Sequence, residues 1–231
     1  MHLKYLIPTL LAVFAACREP IAVTGRVLDS SLRPFAGLLV TVNDGQSQLS
    51  RSDGAFTAVD VHIPYQVIIA DTARKWVVRF ENLTRPDPTL ELIGAPPSFQ
   101  ATAMASPANG KSADSIAITL VEPADLAFVN RATLYRWTGP SRTVYLWMLG
   151  EVGSGAQSLR GPYIVFTTSL STTLPKPNMT GFDLVPNFKY GWTVIAFPTF
   201  ASVDDATGPD GLRSGEAAIV LSQPRTVYPS N

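Results

Sequence analysis

The chain has 231 residues, with 18 Lys and Arg against 18 Asp and Glu, a hydrophobic share of 46% and a charged share of 16%. That balance gives no electrostatic reason to expect nucleic acid or an anionic membrane surface as a partner. One cysteine excludes an internal disulfide framework, and two histidines leave little from which to build a zinc site or a Ser–His–acid triad.

The N-terminus reads as a secretory signal peptide over residues 1–16. "MHLKY" carries one lysine, "LIPTLLAVFAA" is apolar apart from Thr9, and Ala15 and Ala16 are small. The apolar run is too short to span a bilayer as a helix. It ends at Cys17, the only cysteine. "FAAC" resembles the lipobox of bacterial lipoproteins, with Phe14 where that family usually has Leu. The resemblance implies that Cys17 becomes the first mature residue and that its thiol is diacylated. The alternative is an ordinary cleaved signal peptide that leaves a free thiol. Two or three acyl chains anchor a protein stably where one does not. Residues 17–19 are then a tether, and the expected location is the bacterial cell envelope, at the outer membrane or cell surface.

Roughly 215 residues remain, which suits two domains of about 100 each. Nineteen prolines and sixteen glycines punctuate them into short elements, and no long amphipathic helix stands out. The recurrent signal is a run of five to eight β-branched and aromatic residues bounded by Gly, Pro, Asn, Asp or Ser. Residues 20–94 hold "IAVTGRVLD", "GLLVTVND", "SQLSR", "AFTAVDV", "YQVIIAD", "KWVVRFENL" and "TLELI". In "KWVVRFE", Trp76, Val78 and Phe80 share one face, while Lys75, Arg79 and Glu81 share the other with Val77. The spacing predicts a half-buried antiparallel strand. Leu38, Val40 and Val42 form a second stripe.

Val23-x-Gly25-x-Val27-x-Asp29, Pro34, Gly37, Val40-x-Val42, "SDGAF" and "YQVII" together resemble the carboxypeptidase regulatory-like domain. That family is a small β-sandwich of prealbumin-like topology. Gly25 is expected at a bulge or close approach. Asp53-Gly54 should supply positive φ in a tight hairpin, with Phe56 entering the core just beyond. Every match is a strand or turn determinant, so the resemblance implies no reaction.

Residues 95–112, rich in Pro, Ala and Ser, read as a linker. Over 113–224 strands resume with "SIAITLVE", "ATLYRWT", "TVYLWML", "PYIVFTTSL", "FKYGWTVIAFP" and "EAAIVLS", followed by a tail, 225–231. "LVPNFKYGWTVIA" and "LYRWTGP" make this segment resemble a fibronectin type III module. The resemblance implies a buried Trp137 and a tyrosine corner. In that corner the Tyr190 hydroxyl reaches backbone near Pro186, and Trp192 alternates onto the same face as Tyr190. An immunoglobulin domain is excluded by the missing cysteine pair.

Chemistry is sparse. A triad would have to use His62, which lies between a strand and a proline. Ser154 in "EVGSGAQ" lacks the strand–helix flanks of a nucleophile elbow. Asp204, Asp205 and Asp210 in "VDDATGPDGL" are a weak candidate calcium site, although acidic hairpin loops are commonly solvated turns. "NLT" and "NMT" have the form of glycosylation sequons. "VYLWML" and "YIVF" are apolar at both parities. One face therefore either forms a binding patch for sugar or peptide, or is covered by the linker or the first domain. The expectation is an all-β protein of two tandem β-sandwich domains after a cleaved signal peptide. It should have no cofactor and no catalysis, with a membrane as partner through the lipid anchor. The expected role is structural or adhesive; the alternative is a carbohydrate-binding or assembly accessory subunit.

Overall fold

A computed structural model describes residues 19–92, 117–152, 163–180, 183–186, 188–207, 211 and 220–230. Cys17, the 95–112 segment, Ser154 and Asp210 lie outside the described residues. The described chain is nearly all β.

The first half supplies β1 (Ile21–Leu28), β2 (Leu39–Val42), β3 (Gln48–Leu49), β4 (Ala55–Val61), β5 (Tyr65–Asp71), β6 (Trp76–Leu83) and β7 (Thr89–Glu91). In the second half, β8 (Thr119–Glu122), β9 (Ala127–Val129), β10 (Tyr135–Thr138), β11 (Val144–Glu151), β12 (Tyr163–Thr167) and β13 (Ser171–Thr172) come first. They are followed by α1 (Pro177–Thr180), β14 (Tyr190–Phe197), α2 (Val203–Thr207), β15 (Val220–Leu221) and β16 (Arg225–Pro229).

One large sheet runs through both halves in the order β3-β2-β5-β6-β12-β11-β14-β16-β9, with β15 also on β14. The joint is a parallel pairing of β6 with β12, in which Tyr163, Ile164, Val165 and Phe166 lie opposite Val77, Val78, Arg79 and Phe80. Two three-stranded sheets cover it, β4-β1-β7 and β13-β10-β8. Side-chain alternation sorts the two cores by face. One core holds Val67, Ile69, Val78 and Phe80 together with Met148, Ile164, Phe166 and Ile195. The other holds Trp137, Trp147, Tyr163, Val165 and Trp192 together with Ile68, Ala70 and Val77. Each core therefore draws on both halves of the sequence. Arg225–Pro229, set apart in the sequence as a tail, is a strand between β14 and β9. Its strand signal there is Val227-Tyr228 alone, too short to stand out by periodicity.

The β6 expectation needs correction. Trp76, Val78 and Phe80 do share one core, but the face bearing Val77 and Arg79 is buried as well. Partnership with β12, distant in sequence, turns a half-buried strand into a central one covered on both sides.

The turn chemistry is local and direct. Gly54 sits at φ 75°, its N–H donating to the Arg51 carbonyl, while Asp53 accepts from the Ala55 N–H at 3.0 Å. Phe56 is fully buried under Gly25. A methyl group on Gly25 would lie 2.2 Å from Phe56 Cζ and 2.9 Å from the Pro88 carbonyl, so only glycine lets the two strands meet there.

Candidate functional site

Several polar side chains meet across the seam between the two halves, among them the buried Arg79, Thr172 and Asp204. Arg79 is 6% exposed in the middle of β6. Its guanidinium donates to Thr172 Oγ1 and, at 2.8 Å, to the Thr173 carbonyl, and lies 2.9 Å from Glu81 Oε1. Burial pulls its pKa down, opposed by the Glu81 charge. Asn82 Nδ2, in one of the two sequons, donates to Thr168 Oγ1 at 3.1 Å. Farther along, Thr84 donates to Asp204 Oδ2 through both its N–H, at 2.9 Å, and its hydroxyl, at 2.7 Å. Lys176 meets Asp44 at 3.3 Å on the surface. Apart from the Arg79–Glu81 pair within β6, each contact joins a residue before 93 to one after 116, so the seam is stitched along both its buried and exposed margins.

The acidic loop residues have separate employment. Asp204 is buried against Thr84, and its Oδ1 has no hydrogen-bond partner. Asp205 accepts the Ser202 hydroxyl at 2.6 Å while its N–H donates to Ser202 Oγ at 3.1 Å. Ser202 is thereby the N-cap of α2, its hydroxyl oxygen accepting the Asp205 N–H while its hydroxyl proton goes to the Asp205 carboxylate. Among the described residues no group of three or more His, Cys, Asp and Glu side chains is placed to hold a metal. His62 is exposed.

The second core is aromatic. Tyr135 packs edge-on against Trp147 at 4.8 Å and Trp192 at 5.3 Å, and Trp137 against Tyr145 at 5.7 Å. Trp137 and Trp192 are buried, and so is Tyr190, whose hydroxyl oxygen accepts the Val185 N–H at 3.0 Å, one residue before Pro186. Burial raises the phenol pKa of Tyr65, Tyr135 and Tyr163 well above its usual value.

The apolar second faces of "VYLWML" and "YIVF" are covered. Met148, Ile164 and Phe166 lie in the first core with Val203 and Ala206 of α2, and Phe166 stacks on Phe80 at 5.0 Å with planes 3° apart. The exposed aromatic surface is elsewhere, on the β9 margin. Phe128, 76% exposed, stands 6.1 Å from Tyr228, beside the exposed Leu126. Sequence reasoning missed this pair because β9 is three residues long and its partner β16 lay in the supposed tail. Among the described residues no helix is long and apolar enough to cross a membrane.

No protein-family model matches the chain, and no curated protein is matched by it. Among solved structures, 92% of the chain is similar to 70% of the crystal structure of BcpA, the major pilin subunit of Bacillus cereus, at 8% identity and a TM-score of 0.25. A variant of that pilin subunit is similar over the same shares, at 9% identity and a TM-score of 0.21.

Proposed function

We propose that the protein is a lipid-anchored component of a bacterial cell envelope, with a structural or adhesive binding role and no catalysis. The observation that carries this reading is the uninterrupted large sheet with a covering layer on each of its faces. Nine strands in sequence along it span on the order of 40 Å at the usual inter-strand spacing. The seam commits the buried ionic group of β6 to holding the halves together. That is the design of a stiff body, and β1 begins four residues after Cys17, so such a body would sit close to its anchor. The halves are read as a carboxypeptidase regulatory-like unit over 20–94 and a fibronectin type III-like unit over 113–224. The Gly25–Phe56 approach and the Tyr190 hydroxyl contact support those readings.

Mass spectrometry of the mature N-terminus tests the anchor. Acyl groups on Cys17 are expected; a free thiol, or cleavage elsewhere, overturns it. A second reading, a carbohydrate-binding accessory subunit, is favoured by the Phe128–Tyr228 pair, since exposed rings are platforms for sugar faces. It requires glycan-array binding that Phe128→Ala abolishes without lowering the melting temperature.

A further inference from the structure

The face of the large sheet that carries the first core runs on past its cover. Among the described residues that core takes Ile195 and Phe197 from β14 and nothing from β16 or β9. Val227 of β16 and Val129 of β9 turn into the second core. Thr226, Tyr228 and Phe128, at the alternate positions, therefore stand on the opposite face. Phe128 and Tyr228 are direct cross-strand neighbours.

The same face continues onto β14. Gly191 lies opposite Thr226, and a Cβ on Gly191 would lie 3.0 Å from Val152 Cγ2. The exposed Val152 thus lies low over the glycine and extends the apolar surface. Carrying the β14–β16 register one residue further brings the exposed Lys189 beside Tyr228. The result is a shelf three strands wide, about 10 Å at the usual spacing.

One donor and one acceptor flank the shelf. Lys189 makes no ion pair among the described residues. At the other end, Asp125 is exposed and its Oδ1 accepts the Thr226 N–H at 2.7 Å. That bond fixes the carboxylate two residues, about 7 Å, along the strands from the ring pair.

We propose that this shelf binds a neutral glycan, lying across β9, β16 and β14 with a pyranose face on Phe128 and Tyr228. A sugar carries C–H groups on its faces and hydroxyls on its rim, each hydroxyl both donor and acceptor. Apolar rings between an ammonium, which only donates, and a carboxylate, which only accepts, match that distribution. The two charges are opposite in sign, so the shelf has no net field to draw an anionic or a cationic polymer. A proline-rich segment would also stack on the rings, but prolines lack the N–H that Asp125 would accept. This inference rests on the carbohydrate-binding reading above and deepens it, by naming the glycan class and the two polar groups that select it.

The test screens the full-length chain against neutral hexose and N-acetylhexosamine oligosaccharides beside others bearing uronate, sulfate or phosphate. The tightest oligosaccharide is then titrated by calorimetry. Neutral chains should win, and their affinity should hold as ionic strength rises about ten-fold. Phe128→Ala should weaken binding about ten-fold or more. Asp125→Asn keeps an acceptor for the Thr226 N–H but turns the outer oxygen into a donor, and Lys189→Met removes the ammonium. Each should weaken binding several-fold with an unchanged melting temperature. Preference for acidic chains, or indifference to both Asp125→Asn and Lys189→Met, would overturn this inference. The carbohydrate-binding reading would survive that result provided Phe128→Ala still abolished binding. Absence of any glycan binding would overturn both, as would capture of a proline-rich peptide in place of every sugar.

Discussion

At the scale of single residues, Arg79 decides most. Its charge is buried, so its value lies in what would be left behind on removal. Arg79→Ala strands Glu81 and the Thr173 carbonyl without their donor and should cost about 3–5 kcal/mol in chemical denaturation. A paired change of Arg79 and Glu81 to apolar residues of similar volume should cost far less, since it removes the desolvation penalty with the attraction. Tyr190→Phe keeps the ring and takes the hydroxyl from the Val185 N–H, for a loss of roughly 1–3 kcal/mol. The buried phenols set a pH limit. Their folded pKa values lie above the unfolded value near 10, so their contribution is whole below pH ~10 and is lost as pH rises from there toward the folded values. Phenolate absorbance from Tyr135 and Tyr163 should accordingly appear only together with unfolding.

At the scale of elements, the strands were legible and their partners were not. Alternation in "KWVVRFE" marked β6, and Tyr190-x-Trp192-x-Val194-x-Ala196 marked β14, because large apolar residues at every second position leave their trace within a few residues. The pairing of β6 with β12 leaves no such trace. It is parallel and long-range, and nothing in either strand names the other. Arg79 and Glu81 even argued against it, since two charges on one face read as solvent-facing until Thr172 and Thr173 arrive. The short margin β9 escaped for a different reason: three residues carry no period. The turn at Asp53-Gly54 was legible because positive φ selects its own residue. Phe166→Ala offers the direct test of the seam. It empties the stack on Phe80 and should cost about 3–5 kcal/mol, a loss that probes placed in either half should register equally.

At the scale of the whole molecule, the two cores interleave residues from both halves, so the halves should not melt apart. A single thermal transition is expected, with the same midpoint by tryptophan fluorescence, which reports the second core's Trp137, Trp147 and Trp192, and by exchange of the β1 and β4 amides. A protease site engineered into residues 95–112 and cut should leave two pieces that remain associated under native conditions; separation of two folded fragments would show independence instead. The seam also has a consequence in time. A chain made from its N-terminus completes β6 well before β12 exists, and during that interval the side of β6 opposite β5 is an unpaired margin with Val77 beside it. Arg79, later buried, is at that moment a solvated cation in the middle of the waiting strand, where a lone charge is the natural deterrent to premature pairing between nascent chains. The same guanidinium is therefore gatekeeper first and fastener afterwards, and the arrival of β12 with Thr172 and Thr173 close behind is what changes its office.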